Sequence, residues 1–359
     1  MGDLLMSSPA MRALKESFGC SLTLLTSSMA AALVPFLPFI DEVIPWNVPW
    51  VKTGETNQTD DFFHLVEHLK QKQFDAAVIF TVFSQNPLPA ALLIWLAGIP
   101  NRLAYCRENP YHLLTHWVPD KEPYRLVQHQ VQRDLNLVKT IGAVAQDKRM
   151  HLKAAPNSWP ALSAKLASFG VNLQRPWLLV HAGVSEKKRE YPKHLWEETG
   201  KKIIQQLGYQ VILTGNKKER ANIADLQQKI GAQAFNTAGL LPLEEFITLV
   251  KKAPLVVSVN TVTIHIAAAV QTPVVVLYAL SNPQHTPWMA TGKLLWYDVP
   301  EGDRSPNEVL QFVYQHLHPQ NQPMVMPSAI VQAVREVLDR AADCLIPELI
   351  PFQTPEKVF

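Results

Sequence analysis

The sequence is poor in cysteine. Cys20, Cys106 and Cys344 are the only three in 359 residues, far apart and without a CxxC. That excludes a disulfide framework, argues against a zinc site, and makes a reducing compartment the default. It also lacks an excess of either charge. Thirty-three Lys and Arg stand against 31 Asp and Glu, for a net +2. No basic footprint marks it as a nucleic-acid binder, so nucleic acid is not an expected partner. Charged residues make up only 18% and hydrophobic ones 47%, a balance that excludes a disordered chain. The first ten residues lack the basic flank and apolar run of a signal peptide. Residues 21–40 and 76–100 carry no charge and are long enough to span a bilayer. Pro35 and Pro38 break the first, and Pro87, Pro89 and Pro100 the second, so each reads as buried strand, loop and helix. Several chemical motifs are absent as well. No GxGxxG follows a strand, and there is no GxxxxGK[ST], GxSxG or HExxH. No DxD pair stands in a nucleotide-facing loop, so neither a metal nor a cofactor is expected.

What is present is a two-domain length and a regular alternation of short apolar runs with helical patterns. In the first half, residues 21–25, 41–46, 74–80 and 102–106 read as strands, with 74–80 buried. Residues 27–34, 60–72, 88–97 and 129–142 read as helices: 60–72 capped by Asp60, 88–97 buried, and 129–142 ending at Gly142. The second half is clearer. Strands are expected at 177–183, 209–215, 254–260 and 272–279. Helices are expected at 192–208, 218–231, 241–253, 261–270 and 328–341, with Pro192 opening the first and Gly208 closing it. Unbroken Val, Ile and Leu runs between helices imply parallel sheets covered on both faces. The class is therefore α/β in two domains, 1–155 and 156–325, followed by a C-terminal helix and tail over 326–359. The boundary region holds Pro156, Pro160 and Pro176, and the tail Pro347, Pro351 and Pro355.

Ligands of such sheets sit where strands end and helices begin, and anions favour helix N-termini. Three loops of the second half offer suitable groups. One is His181-Ala182-Gly183-Val184-Ser185, followed by Lys187, Lys188 and Arg189. Another is Thr214-Gly215-Asn216 with Glu219. The third is Asn260-Thr261-Val262-Thr263 with His265. Together they provide cations, hydroxyls and amides for a diphosphate and a carboxylate for a ribose. Each also has a plain structural reading: helix caps for Asn260, Thr261 and Thr263, a core histidine for His265, and solvated charges for Lys187–Arg189 and Glu219. Their convergence at three strand ends favours the site.

These segments carry a family resemblance. The opening GDLLMSSPAMRALK, Gly98-Ile99-Pro100-Asn101-Arg102, HAGVSEKKREYP, LTGNKKE and VVSVNTVTIHIAAAVQTPVVVLY resemble, in order, the motifs of glycosyltransferase family 9, the ADP-heptose:lipopolysaccharide heptosyltransferases and their relatives. The likeness spans about residues 1–340. It implies a GT-B architecture, two Rossmann-like domains facing across a cleft. The donor, a nucleotide-sugar with an expected ADP moiety, would lie on the second domain. The acceptor, a lipid-linked or envelope saccharide such as the lipopolysaccharide core, would lie on the first. Transfer would be inverting and metal-independent. The resemblance makes Asp3 the general base and Lys188 or Arg189 the cation on the leaving diphosphate. Gly183, Val184, Ser185, Glu219, Leu241, Asn260, Thr261, Val262 and His265 become donor-binding residues. It also implies a cytoplasmic protein, with peripheral contact to the inner membrane face as an open reading. Phe36, Phe39, Trp46 and Trp50 lie near the acceptor side, and core packing is their plainer role.

This chain departs from the family pattern at four places. Asn260 replaces the aspartate of D-T-G, Val262 its glycine, and Tyr191 a tryptophan. No Ile- and Val-rich strand precedes Gly2-Asp3, and the expectation is a start further upstream. Two alternatives stay open: a non-catalytic nucleotide-sugar-binding relative, and a sugar-nucleotide epimerase on the same fold.

Overall fold

The computed structural model describes residues 1–51, 58–155, 157–184, 186–317 and 322–339. Cys344, the proline-rich tail, Pro156 and Ser185 lie outside the described residues. The first half runs α1 (Gly2–Phe18), β1 (Thr23–Thr26), α2 (Ser28–Ala31), β2 (Glu42–Pro45), α3 (Thr59–Gln71), β3 (Ala76–Ile79), α4 (Leu88–Leu96), β4 (Asn101–Cys106), β5 (His116–Pro119) and α5 (Gln130–Lys139). The second runs α6 (Trp159–Ser168), β6 (Trp177–His181), α7 (Lys193–Lys202), β7 (Gln210–Thr214), α8 (Arg220–Ile230), β8 (Ala234–Asn236), α9 (Leu243–Lys252), β9 (Val256–Val259), α10 (Val262–Ala269), β10 (Val274–Ala279), β11 (Gly292–Tyr297), α11 (Glu308–Leu317) and α12 (Pro327–Leu338).

The second half is one parallel sheet of six strands, ordered β11-β10-β9-β6-β7-β8. Every residue of β7, β9 and β10 is buried. Their Val, Ile and Leu side chains serve two cores, because alternate residues point to opposite faces. Ile212, Val256 and Val276 pack with residues of α1, α9 and α10. Val211, Val257 and Leu277 pack with residues of α7, α8 and α12. The chain leaves β6 toward β7 and β8, then returns to β9 on the other side of β6. The strand order reverses there, so the ends of β6 and β9 open a crevice suited to a ligand. Helix α7 extends through a single π turn over Ile203–Leu207 and stops at Gly208, whose φ of 74° is left-handed.

The sheet of the first half comes in two parallel pieces, β1-β2 and β3-β4-β5. The run 74–80, expected to be buried, is not: Ala76 is exposed, and Ala77, Val78 and Ile79 are half-buried, as is all of β1. The cause is edge position, since among the described residues β1 pairs only with β2 and β3 only with β4. Both strands still share the same two faces. Leu24 and Val78 lie against the central core that includes α1 and α5, and Leu25, Ala77 and Ile79 against α3 and α4. Helix α4, also expected to be buried, covers α3 with Leu93 and Ile94. It leaves Leu92, Trp95 and Leu96 at 42%, 47% and 37% exposure. Asp60 does not cap α3. The Asp61 carboxylate does so instead, accepting the Gln58 N–H at 2.9 Å. Arg102 is a staple: it donates to the carbonyls of Ile99, Pro100, His112 and Leu113 and holds the two loops that flank β4.

Among the described residues, no helix is long and apolar enough to cross a membrane.

Candidate functional site

A cavity of about 1580 Å³ opens between the halves. From the second half, the three predicted loops supply His181, Gly183, Val184, Lys188, Arg189, Asn216, Glu219, Asn260, Thr261, Val262 and His265 to its wall. From the first, Asp3 stands on the first turn of α1, exposed to this space beside Met1 and Gly2. The turn reaches across: a Cβ added at Gly2 would meet His265 Cδ2 at 3.1 Å. The structure therefore brings Asp3 and the donor-side groups into one cavity although they are at least 178 residues apart in sequence. Leu241 is not on this wall; it is half-buried against the central core. Thr263 is buried within α10. Ser185 lies outside the described residues.

Local geometry explains each group. Gly183 must be glycine, because a Cβ there would sit 2.3 Å from the Glu219 Cδ. The carboxylate rests in a notch that also includes Gly215, whose Cβ would meet Glu219 Oε2 at 3.0 Å. Asn216 Oδ1 accepts the N–H groups of Lys218 and Glu219, and Glu219 Oε2 accepts the Asn216 N–H at 2.7 Å. Glu219 is thus held rigidly by its own cap. Its Oε1 has no hydrogen-bond partner among the described residues. His181 donates or accepts at 2.9 Å with Thr214 Oγ1, and burial pushes its imidazole down to about 4.

The cations are sorted by position. Lys188 Nζ and Arg189 Nη2 both reach Glu186 Oε2, at 3.1 and 3.3 Å, and both line the cavity. Arg189 Nη1 also donates to the Asn260 carbonyl at 3.2 Å. Lys187 is 78% exposed and pairs with Asp303 outside the cavity wall. Tyr191 is buried behind this loop, donating to the Val325 carbonyl at 2.6 Å with its ring against Trp196.

The start of α10 is the polar centre of the site. Asn260 Nδ2 donates to Ser281 Oγ at 3.2 Å. Among the described residues, four neighbouring buried atoms take no partner: Asn260 Oδ1, Thr261 Oγ1, Thr263 Oγ1 and His265 Nδ1. Arg189 Nε, close by, takes none there either. Thr261 occupies the cap position without making a cap bond, and His265 is not a satisfied core histidine. Buried polar atoms are normally paired, and an orphaned group at the positive end of a helix dipole calls for a polar or anionic ligand. Burial holds His265 neutral, well below the ordinary range for histidine. Val262 is half-buried on the same wall and packs on the core. Among the described residues, no group of His, Cys, Asp and Glu is arranged to hold a metal ion.

The sequence reading missed the fourth strand end. The loop after β10 brings Ser281, Asn282 and His285 to the cavity. The rule applied to β6, β7 and β9 would have found them. Arg304, Gln311 and Tyr314, from the region of α11, form another part of the wall. Gln311 and Tyr314 lie on α11, whose Val309, Leu310 and Val313 recur at helical spacing and would have marked it as a helix.

Three comparisons bear on this arrangement. The sequence model of glycosyltransferase family 9 (heptosyltransferase) matches residues 62–302. Lipopolysaccharide heptosyltransferase 2 of Salmonella typhimurium is 27% identical over 303 residues, covering 80% of this chain and 82% of that protein. Among solved structures, the Escherichia coli ADP-heptose LPS heptosyltransferase II superposes with a TM-score of 0.68 at 22% identity, over 94% of this chain and 96% of that one. A family 9 glycosyl transferase from Veillonella parvula gives 0.73 at 14% identity, over 95% and 94%. These likenesses establish the GT-B fold.

Proposed function

The chain belongs to glycosyltransferase family 9, and from that premise we propose that it transfers a sugar from an ADP-sugar to a lipid-linked or envelope saccharide, with heptose and the lipopolysaccharide core as the leading pair. Transfer inverts the anomeric centre and uses no metal. It takes place at the cytoplasmic side of the membrane, with the protein bound peripherally. One observation carries the donor-site reading: the orphaned polar atoms at the start of α10, faced by Arg189.

The chemistry follows from the positions. Asp3 takes the proton of the acceptor hydroxyl as that oxygen attacks the anomeric carbon. The bond from this carbon to the diphosphate breaks, and the electron pair leaves on the phosphate oxygen. Lys188, Arg189 and the dipole of α10 stabilise the charge that develops there, the work a metal does in other transferases. Glu186 now holds both cations, so the diphosphate displaces a carboxylate when it binds. Glu219 Oε1 accepts from the ribose hydroxyls, and its rigid cap places it in advance.

Calorimetric titration with ADP, UDP and GDP tests the reading. ADP should bind selectively, and Lys188→Ala or Glu219→Ala should each weaken it about tenfold or more. Turnover of ADP-heptose with a core acceptor should disappear in Asp3→Ala. Failure of every nucleotide to bind would overturn the donor site. Binding without turnover would select a non-catalytic relative, which Asn260 and Val262 favour; donor conversion without an acceptor would select an epimerase.

A further inference from the structure

We infer that His285 contacts the transferred sugar ring and discriminates the sugar of the donor. This rests on the donor-site reading above.

The placement of His285 is unusual. It lies on the loop after β10, in the second half, but its neighbours are fastened to the first half. Gln284 is fully buried; its Nε2 donates to Glu122 Oε1 at 3.1 Å, and its Oε1 accepts the Phe83 N–H at 3.5 Å. Thr286 is fully buried too, and its carbonyl accepts from His129 Nε2 at 2.7 Å. Trp288 Nε1 donates to the Lys148 carbonyl at 2.8 Å, with its ring 4.6 Å from that of His129. Between these pinned residues, His285 is half-buried and faces the cavity. A side chain whose backbone is fixed on both sides is pre-organised for its partner.

The proton on His285 can be placed. Asn282 Oδ1 accepts the Gln284 N–H at 2.9 Å, which fixes the orientation of that amide. Its Nδ2 therefore faces His285 Nε2, at 3.3 Å, and donates to it. The imidazole proton then sits on Nδ1, which takes no partner among the described residues. Burial lowers the affinity of the ring for a second proton, although Asp3 pulls the other way. The ring is thus a neutral donor with one free N–H.

Its place on the cavity wall identifies the ligand. His285 lines the same cavity as Asp3 and Arg189. The acceptor hydroxyl must reach Asp3, and the leaving phosphate must reach Arg189. The ring that joins them occupies the space between, and a sugar offers hydroxyl acceptors there. A neutral N–H donor recognises such hydroxyls and carries no charge to favour the diphosphate over them, and we assign the contact to the sugar.

The test is calorimetry with ADP and ADP-heptose, without acceptor, on the full chain. The variants are His285→Ala, His285→Asn and His285→Gln. Asn places an amide donor near Nδ1, and Gln near Nε2. ADP affinity should stay within about twofold of wild type in all three. ADP-heptose affinity should fall about tenfold or more in His285→Ala and His285→Gln, and stay within about threefold in His285→Asn. Equal losses for ADP and ADP-heptose, or unchanged ADP-heptose binding in folded His285→Ala, would overturn the assignment. So would a wild-type chain that binds the two ligands equally. If wild type binds neither, the donor-site reading falls and takes this inference with it.

Discussion

The two halves solve the same folding problem to different degrees. In the second, one six-stranded sheet buries β7, β9 and β10 completely, and its strand ends carry a polar site that exists before any ligand arrives. In the first, two short sheets share the same helical layers, but their facing strands are only half-buried. Stability in a domain scales with apolar surface removed from water. The second half is therefore the rigid partner and the first the adaptable one. On the proposed function, this division suits a small nucleotide on the second half and a large saccharide on the first.

The sharpest way to break this comparison is to delete equal side chains from the two sheets. Leu277 on β10 has no exposure. Leu277→Ala should cost about 2–5 kcal/mol, because it leaves a cavity that its neighbours cannot collapse. Leu24 on β1 is half-buried, so Leu24→Ala should cost only about 1 kcal/mol. Urea denaturation of both variants measures the difference. Equal costs would mean that the first sheet is as tightly packed as the second.

A change at the site comes next in size. Gly183→Ala places a methyl group where the Glu219 carboxylate rests. Either the carboxylate leaves its cap or the loop moves. ADP affinity should fall about 100-fold, or roughly 2.7 kcal/mol. Gly302 faces open space, and Gly302→Ala should leave ADP binding unchanged. If the two variants bind alike, the notch has no role in the site.

The contrast also explains what the sequence could and could not reveal. Unbroken Val and Ile runs announce buried parallel strands, and they located β6, β7, β9 and β10 along with three loops of the site. The same signal misread 74–80 and 88–97. Apolar composition reports what a segment can bury, not whether a neighbouring strand is present to bury it. Asp61 rather than Asp60 closes α3, because boundaries depend on local geometry that spacing does not resolve. The buried bond from Ser7 Oγ to Asp134 Oδ2 at 2.7 Å joins residues 127 positions apart, and no local pattern marks it. His285 was missed for another reason: it follows the end of an expected strand, where the strand-end rule was not applied, and only the fold shows its neighbours fastened to the other half.

Acid should separate the buried groups that must stay neutral from those that gain by protonation. Burial pushes His181 of the second half down to about 4, and His129 of the first to about 3. Both lie below the ordinary value of 6.5, so their contribution is complete above 6.5 and is lost as pH falls through the folded values. Each should remove up to about 1.4 kcal/mol per pH unit below 6.5. Asp134 runs the other way. Burial pushes it up to about 7, from 3.8. Its contribution is complete below about 4 and is lost as pH rises through about 7, so it offsets part of the histidine loss on acidification. Asp134→Asn should therefore make the acid loss between pH 6.5 and 4 steeper, and His181→Gln should make it shallower. Melting curves at pH 7, 6 and 5 measure both slopes. A wild-type melting temperature that does not fall with pH would show that these histidines take up protons without loss.

The smallest effect tests how finely the cations are sorted. Lys187, Lys188 and Arg189 are consecutive, yet only the last two line the cavity. Lys187 is 78% exposed, and its partner Asp303 lies at 3.5 Å. Such a pair adds between zero and about 1 kcal/mol, since water screens it and holding two side chains still costs entropy. Lys187→Ala should change ADP affinity less than about twofold, mainly through the field of one screened charge. Lys188→Ala removes a cation that shares a carboxylate with Arg189, so its loss is felt twice: one contact to the diphosphate disappears, and Glu186 falls wholly to Arg189. The ratio of the two affinities is the quantity to measure. A ratio near one would mean that the run acts as a diffuse positive surface. A ratio of tenfold or more would mean that the short turn over residues 187–189 selects which charge meets the donor.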